Sequence, residues 1–410
     1  MNHIIIGNSA AAIGCVEGIR SIERDSDITI ISNENFHTYS RPLISYLLEG
    51  KTDEKRMLFR GENFYAENNV KTYIGRSALA IDHVAKTVTL DGGDKLSYDR
   101  LLVATGSSAF VPPIDGLSNV KHKFTFITLS DALALAKTVG AGSRALIIGG
   151  GLIGLKCAEG LHAMGCDITI ADMAKNVLPS VLTPEAAALV EKRVLQNGVK
   201  LILSNTVTRF DSNAAYLSGG DRVEFDALVV AVGVRPNISL ILDAGGATGR
   251  GIIINEKCET SLLDVYAAGD CTESVDISSG ATKIMALLPN AYMQGECAGI
   301  NMAGGEKTFD NAIPMNSMGV FGLHMMTAGV YEGDAFALNA KNGYKRLFYK
   351  DNLLKGYIMI GDVARAGIYT SLIRERTPLD TIDFDLVKDK PQLMAFSRME
   401  RQKKLGGTTA

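Results

Sequence analysis

The stretch Ala145-Leu-Ile-Ile-Gly-Gly-Gly-Leu-Ile-Gly154 decides how the rest of the chain is read. Residues 145–148 form a short apolar run that suits a buried strand. Gly149, Gly151 and Gly154 follow at the G-x-G-x-x-G spacing of a dinucleotide-binding turn. Gly149 allows a sharp turn, and Gly151 lets backbone N–H groups approach a pyrophosphate. Gly154 lets the next helix, opening at Leu152 and Ile153, pack close to the strand. That helix presents its positive end to the phosphates. A second apolar run, residues 167–171, ends at Asp172. A carboxylate there accepts hydrogen bonds from a ribose 2′-hydroxyl and repels a 2′-phosphate, which favours NAD over NADP. A glycine-rich turn without a ligand is the plain alternative. Strand, glycines, helix and terminal acid in one unit argue against it.

Working outward, the N-terminus repeats the pattern in altered form. Residues 3–6 are a predicted strand, followed by Gly7-Asn-Ser9-Ala10-Ala11-Ala12. Ser9 and Ala12 replace two glycines. Both are small enough for close backbone approach, although Ser9 must avoid a positive φ. The helix continues through Arg20, and a strand over 27–31 leads to Glu34, the candidate ribose ligand. Two dinucleotide folds imply two dinucleotides, and the usual pairing is a flavin with a nicotinamide. Tyr98-Asp-Arg-Leu-Leu-Val-Ala104-Thr105-Gly106 reads as a strand ending in a small-residue turn, and Asp226-Ala-Leu-Val-Val-Ala-Val-Gly233 is its counterpart. Asp264-Val-Tyr-Ala-Ala-Gly269-Asp270 places an acid just after a buried strand. There Asp270 hydrogen-bonds the polyol linker of a flavin, caps the following helix, or does both.

Length and composition set the outer limits. A chain of 410 residues suggests two or three domains. Hydrophobic residues at 46% and charged residues at 21% fit a soluble globular protein. A net charge of −3 gives no electrostatic case for nucleic acid or an anionic membrane. No apolar run reaches bilayer-spanning length, and no secretion signal is read at the N-terminus, so the cytoplasm is the expected location. The six cysteines show no CxxC spacing, so neither a disulfide framework nor a metal site is expected, and all six read as buried small hydrophobes.

Together these residues resemble the two-dinucleotide flavoprotein reductases of the pyridine nucleotide–disulfide oxidoreductase superfamily. The resemblance covers almost the whole chain through Gly7 to Ala12, Glu34, Tyr39-Ser-Arg41-Pro42, Ala104-Thr-Gly106, the Gly149 motif, Gly233-Val-Arg-Pro-Asn237, Ala268-Gly-Asp270 and Gln294-Gly295. Glu34 with Tyr39-x-Arg41-Pro42 is similar to the NADH-dependent rubredoxin and ferredoxin reductases and to the flavin part of nitrite reductases. Lys345-Arg-Leu-Phe-Tyr349 and Lys355-Gly-Tyr-Ile-Met-Ile-Gly-Asp362 resemble the small terminal domain of the rubredoxin reductases. The resemblance implies an α/β chain with FAD in the first Rossmann-like domain, NAD(H) in the second, and a small C-terminal α+β domain. We expect the FAD domain over 1–112 and 240–310, with the NAD domain over 113–239 inserted in it. A C-terminal domain over 311–390 and a tail over 391–410, frayed from Arg398 on, complete the chain.

The electron route follows from what is missing. The segment Tyr39-Ser-Arg-Pro-Leu-Ile-Ser-Tyr-Leu-Leu-Glu49, where dithiol reductases of this kind carry cysteines, has none. Electrons must therefore leave the flavin for a redox protein, a partner subunit or a diffusible acceptor. Pro42 fixes the start of a helix, and Arg41 faces the flavin pyrophosphate or ring edge. Related reductases carry a lysine after the Arg-Pro pair and a glutamate after the second glycine motif. Tyr46 and Lys156 stand in the corresponding places. Lys156 either brings positive charge to the reduced flavin or points to solvent with Glu159 as its partner. His324 reads as a packed core histidine, and Met325 and Met326 as core filling.

The leading expectation is an FAD-dependent NADH:acceptor oxidoreductase serving a rubredoxin- or ferredoxin-like protein. The alternatives are the flavin subunit of a larger complex, nitrite reductase-like or 2-oxoacid dehydrogenase-like, and a non-catalytic FAD-binding protein. A homodimer is left open.

Overall fold

Ile4, Ile5 and Ile6 are buried in succession rather than alternately, at 1%, 0% and 6% exposure. That is the mark of a strand covered on both faces. A computed structural model describes residues 1–340, 343–397 and 401. It divides into two units. The first comprises Met1–Ser180, Glu191–Ser274 and Thr282–Asp310, and the second Val181–Val190, Val275–Ala281 and the described residues from Asn311 on.

The first unit holds two five-stranded parallel sheets. One runs in the order Val265–Ala267, Arg100–Val103, Asn2–Ile6, Asp27–Ser32, Val70–Ile74. The other runs Lys200–Ile202, Asp167–Ala171, Arg144–Ile148, Ala227–Val230, Lys123–Phe124. Both place the strand before the glycine turn in the middle, with the acid-bearing strand beside it. Even the register repeats: Asn2 faces Asp27 in one sheet, and Arg144 faces Asp167 in the other.

The helices that open at the two turns differ in what they touch. The Ala10–Ile22 helix lies against Leu288–Met302 with almost no side chain between the backbones. A Cβ on Gly295 would sit 1.9 Å from the Ala11 carbonyl oxygen, so the site tolerates nothing larger than glycine. This contact fixes Ala11 as a packing position at the helix start, and Ala10 beside it is buried. The two chain segments that join the sheets pair with each other, Ser107–Ala109 antiparallel to Val234–Pro236.

The second unit is built on an antiparallel sheet ordered Met315–Val320, Leu323–Gly329, Leu353–Gly361, Gly343–Lys350, Asp334–Ala340. The Ala366–Arg374 helix lays Tyr369, Leu372 and Ile373 on it, against Leu347 and Tyr357. Here the expectation for His324 fails. Met325 is buried at 1% exposure, whereas His324 is exposed. His324 shares its face with Met326 and Ala328, which pack on the core, but it stands at the hairpin end of the strand, opposite Gly319, past the edge of that core. Met326 is partly buried against the same core. Phe396 is buried as well, whereas the expected frayed segment, residues 398–400 and 402–410, lies outside the described residues. Among the described residues no helix is long and apolar enough to cross a membrane, and no cluster of three His, Cys, Asp or Glu is placed to hold a metal.

Candidate functional site

Both glycine turns follow one geometry. Gly7 and Gly149 have φ of 127° and 109°, and a Cβ on either would strike a carbonyl oxygen, that of Ala104 at 2.2 Å or Ala231 at 2.3 Å. These two positions require glycine. Ser9 and Gly151 cap their helices with extended backbone, φ −111° and −79°, so the serine is accommodated without strain. The third position separates the turns. A Cβ on Gly154 would lie 1.9 Å from the Gly149 oxygen, whereas Ala12 already carries its methyl group, fully buried.

In the first cradle the candidate ribose ligand, Glu34, is held by side chains. The Tyr39 hydroxyl donates to Glu34 Oε2 at 2.7 Å, and Arg41 forms an ion pair with Glu34 Oε1. Arg41 also donates to the Ile127 carbonyl at 3.4 Å. Pro42 sits in the short helical turn Arg41–Leu43, which leads directly into the Ile44–Leu48 helix. Arg41 is also within electrostatic reach of Asp270. Burial pushes the Asp270 carboxyl from its ordinary 3.8 up to about 6, against a smaller opposing pull from Arg41. Gln294 fixes the Asp270 loop by accepting from the Gly269 N–H at 2.8 Å and the Thr272 hydroxyl at 3.2 Å. Thr105 and Asn237 close the neighbouring turn with paired bonds of 2.8 and 2.9 Å.

These features fit a flavin dinucleotide. A desolvated carboxylate at Asp270 matches the hydroxyl donors of a polyol chain, and Arg41 supplies a cation for a pyrophosphate. A Cβ added at Gly106 would meet nothing within 4 Å, nor would one at Gly151 or Gly233, so these faces are open where a cofactor must approach.

The second cradle is held by its own backbone. Asp172 Oδ2 accepts from the Gly150 N–H at 2.6 Å and Oδ1 from the Ala174 N–H at 2.7 Å. The acid therefore clamps the glycine turn and keeps further lone pairs for ribose hydroxyls.

Lys156 lies where the Ile44–Leu48 and Leu152–Ala163 helices meet. It forms an ion pair with Glu159, lies 3.5 Å from Glu49, and stands 4.6 Å above the centre of the Tyr46 ring. Its side chain is 15% exposed, so it pairs with Glu159 without pointing to solvent. Glu49, 2% exposed, is a buried acid that its place at a helix end did not advertise in the sequence. Tyr39 as the centre of a network is likewise invisible there, because its partner Leu129 is ninety residues away. Gln294 had a signal only as part of the family pattern. All six cysteines are buried and free. Cys271, beside Asp270, is pushed up to about 11 by burial, which leaves it a thiol at neutral pH.

Residues 1–295 match the family model described as pyridine nucleotide-disulphide oxidoreductase, and residues 314–377 match that of the rubredoxin NAD+ reductase C-terminal domain. The chain is 31% identical over 391 residues to the NADH-dependent phenylglyoxylate dehydrogenase subunit epsilon of Aromatoleum evansii, covering 92% of each. It is 27% identical over 368 residues to the NADH-rubredoxin oxidoreductase of Clostridium acetobutylicum, covering 88% of this chain and 91% of the other. The reductase in the crystal structure of the covalent putidaredoxin reductase–putidaredoxin complex shares the fold, with a TM-score of 0.87 at 24% identity over 95% of this chain and 96% of the other.

Proposed function

Because this chain belongs to the pyridine nucleotide-disulphide oxidoreductase family and is an NAD(P)H-dependent flavoprotein oxidoreductase, we propose that its electron acceptor is a small iron protein of the rubredoxin or ferredoxin class. The family's cofactors are FAD and NAD(H), and the flavin, when bound, supplies hydride acceptance and onward release of electrons. The remaining work belongs to the chain's own residues. The Gly7 turn and the start of the Ala10–Ile22 helix hold one pyrophosphate, with Arg41 as counter-charge and Glu34 on the ribose. Asp270 accepts from the polyol hydroxyls. The Gly149 turn, with Leu152 and Ile153 opening its helix, holds the second pyrophosphate, and Asp172 accepts from the nicotinamide dinucleotide's ribose. Rate enhancement comes from positioning. Lys156 acts at the flavin electrostatically, its charge moderated by Glu159 and Glu49.

The observation that carries the acceptor is the match of residues 314–377 to the rubredoxin reductase terminal domain. In an anaerobic titration the purified yellow protein is expected to bleach with NADH. It should then reduce rubredoxin or ferredoxin in catalytic amounts. A second reading, the flavin subunit of a larger dehydrogenase, draws support from the Aromatoleum subunit. Reduction of a low-potential dye with no reduction of either iron protein would select it. A yellow protein that NADH fails to bleach would instead revive the non-catalytic reading. The same proposal divides the chain after residues 112, 239, 310 and 390, and includes a cytoplasmic location and a homodimer.

A further inference from the structure

Tyr39 is a buried phenol, 7% exposed, whose single oxygen serves three partners. It donates to Glu34 Oε2 at 2.7 Å, accepts from the Leu129 N–H at 3.0 Å, and accepts from Arg41 Nη1 at 3.3 Å. Leu129 is the first residue of the Leu129–Thr138 helix, and a first-turn N–H has no partner inside its own helix. The capping box formed by Thr128 and Asp131 leaves that donor to Tyr39. The helix lies in the chain between Lys123–Phe124 and Arg144–Ile148, two strands of the sheet that bears the second glycine turn. One hydroxyl thus joins the ribose acid of the first cradle to a helix of the second.

We propose that Tyr39 is a positioning residue that aims the Glu34 carboxylate at the adenosine ribose and couples occupancy of the first cradle to the helix opening at Leu129. The inference rests on the flavin reading of that cradle. Its chemistry is set by proton count. Burial, reinforced by Glu34 against a pull from Arg41, holds the phenol well above its ordinary value, so the proton stays on Tyr39, which donates it in a hydrogen bond to the carboxylate. Arg41 takes one oxygen of Glu34 and Tyr39 the other, which fixes the plane of the carboxylate. The lone pairs left over point along fixed directions for two ribose hydroxyls. Donation from those hydroxyls draws charge from Glu34, weakens its hold on the phenol proton, and leaves the phenol oxygen a poorer acceptor for Leu129.

The test is Tyr39→Phe in the full chain, which keeps the ring and removes the hydroxyl. The dissociation constant for FAD should rise about tenfold, the cost of losing one hydrogen bond to a charged group. That for FMN, which lacks the adenosine ribose, should stay within about twofold of wild type. Amide exchange over residues 129–132 should respond to FAD in the wild type and not in the variant. Leu129→Pro is the second variant. Proline suits a first helical position and follows the extended Thr128 without conflict, yet it deletes the donor to Tyr39. It should leave FAD affinity near wild type while abolishing the FAD response of residues 130–132. Equal weakening of FAD and FMN by Tyr39→Phe would overturn the positioning role. A persisting FAD response in either variant would overturn the coupling. A wild-type protein that binds no FAD would instead refute the flavin reading on which both rest.

Discussion

The two cradles share strand order, register and turn, and differ in how each holds its acid. Asp172 is fixed by two backbone N–H groups within thirty residues of the turn it serves. Glu34, with one more methylene, is fixed by Tyr39 and Arg41, and through them by Leu129 and Ile127. The shorter acid makes the second cradle self-contained. The longer one makes the first depend on residues spread over much of the chain, down to Gln294 behind Asp270. A local device is insensitive to its surroundings, whereas a distributed one can respond to them.

The sharpest contrast is the third small residue of each turn. Gly154→Ala places a methyl group against the Gly149 oxygen and should cost about 2–3 kcal/mol in denaturant unfolding, with loss of NADH binding. Ala12→Gly, its mirror, should cost about 1 kcal/mol from helix propensity alone. Equal costs would erase the distinction between the turns.

Next comes the desolvated acid of the first cradle. Asp270 is raised from 3.8 to about 6, so between those values the folded, flavin-free chain binds more protons than the unfolded one. Its contribution is therefore most favourable at low pH and declines as pH rises to about 6. Asp270→Asn should flatten that part of the stability-against-pH curve and weaken FAD binding. An unchanged slope would show that the carboxylate is not desolvated.

At the second cradle, Asp172→Asn should raise KM for NADH about tenfold, or 1.4 kcal/mol, with kcat nearly kept and FAD content unchanged. Loss of FAD in that variant would contradict the independence of the cradles. Lys156→Glu should lower the flavin midpoint potential by a few tens of millivolts, on the order of 1 kcal/mol. The change is small because Glu159 and Glu49 already offset the lysine charge. Ser9→Gly should fall within about 0.5 kcal/mol of wild type, since the cap geometry is extended in both turns.

Much of this architecture is legible in the residues. Gly149 and Gly154 read as a sharp turn and a close helix contact, and the structure supplies the carbonyl oxygens that demand glycine there and at Gly7. The buried cysteines follow from their spacing, and the two parallel sheets from the two strand–glycine turn–helix motifs and the resemblance they carry. His324 reads as core from its apolar neighbours, yet it is exposed because it stands beside the hairpin turn at the end of its strand. Lys156 shows a different limit. Sequence names its partner at Glu159 by helical spacing, but Glu49 and Tyr46 reach it only because two helices meet.

The chain's sequence by itself determined the two glycine turns, the cysteine-free segment and the order of strand, turn and helix around each turn. These are short-range facts, fixed by steric rules acting over a few residues and by a repeat of strand, turn and helix. Only the tertiary structure decided which side chains share the acid at position 34, how Gln294 holds the Asp270 loop, and that Ser107–Ala109 pairs with Val234–Pro236. Those contacts join residues from 5 to more than 100 positions apart. Hydrogen bonds and desolvation depend on distance in space, which one-dimensional spacing does not fix.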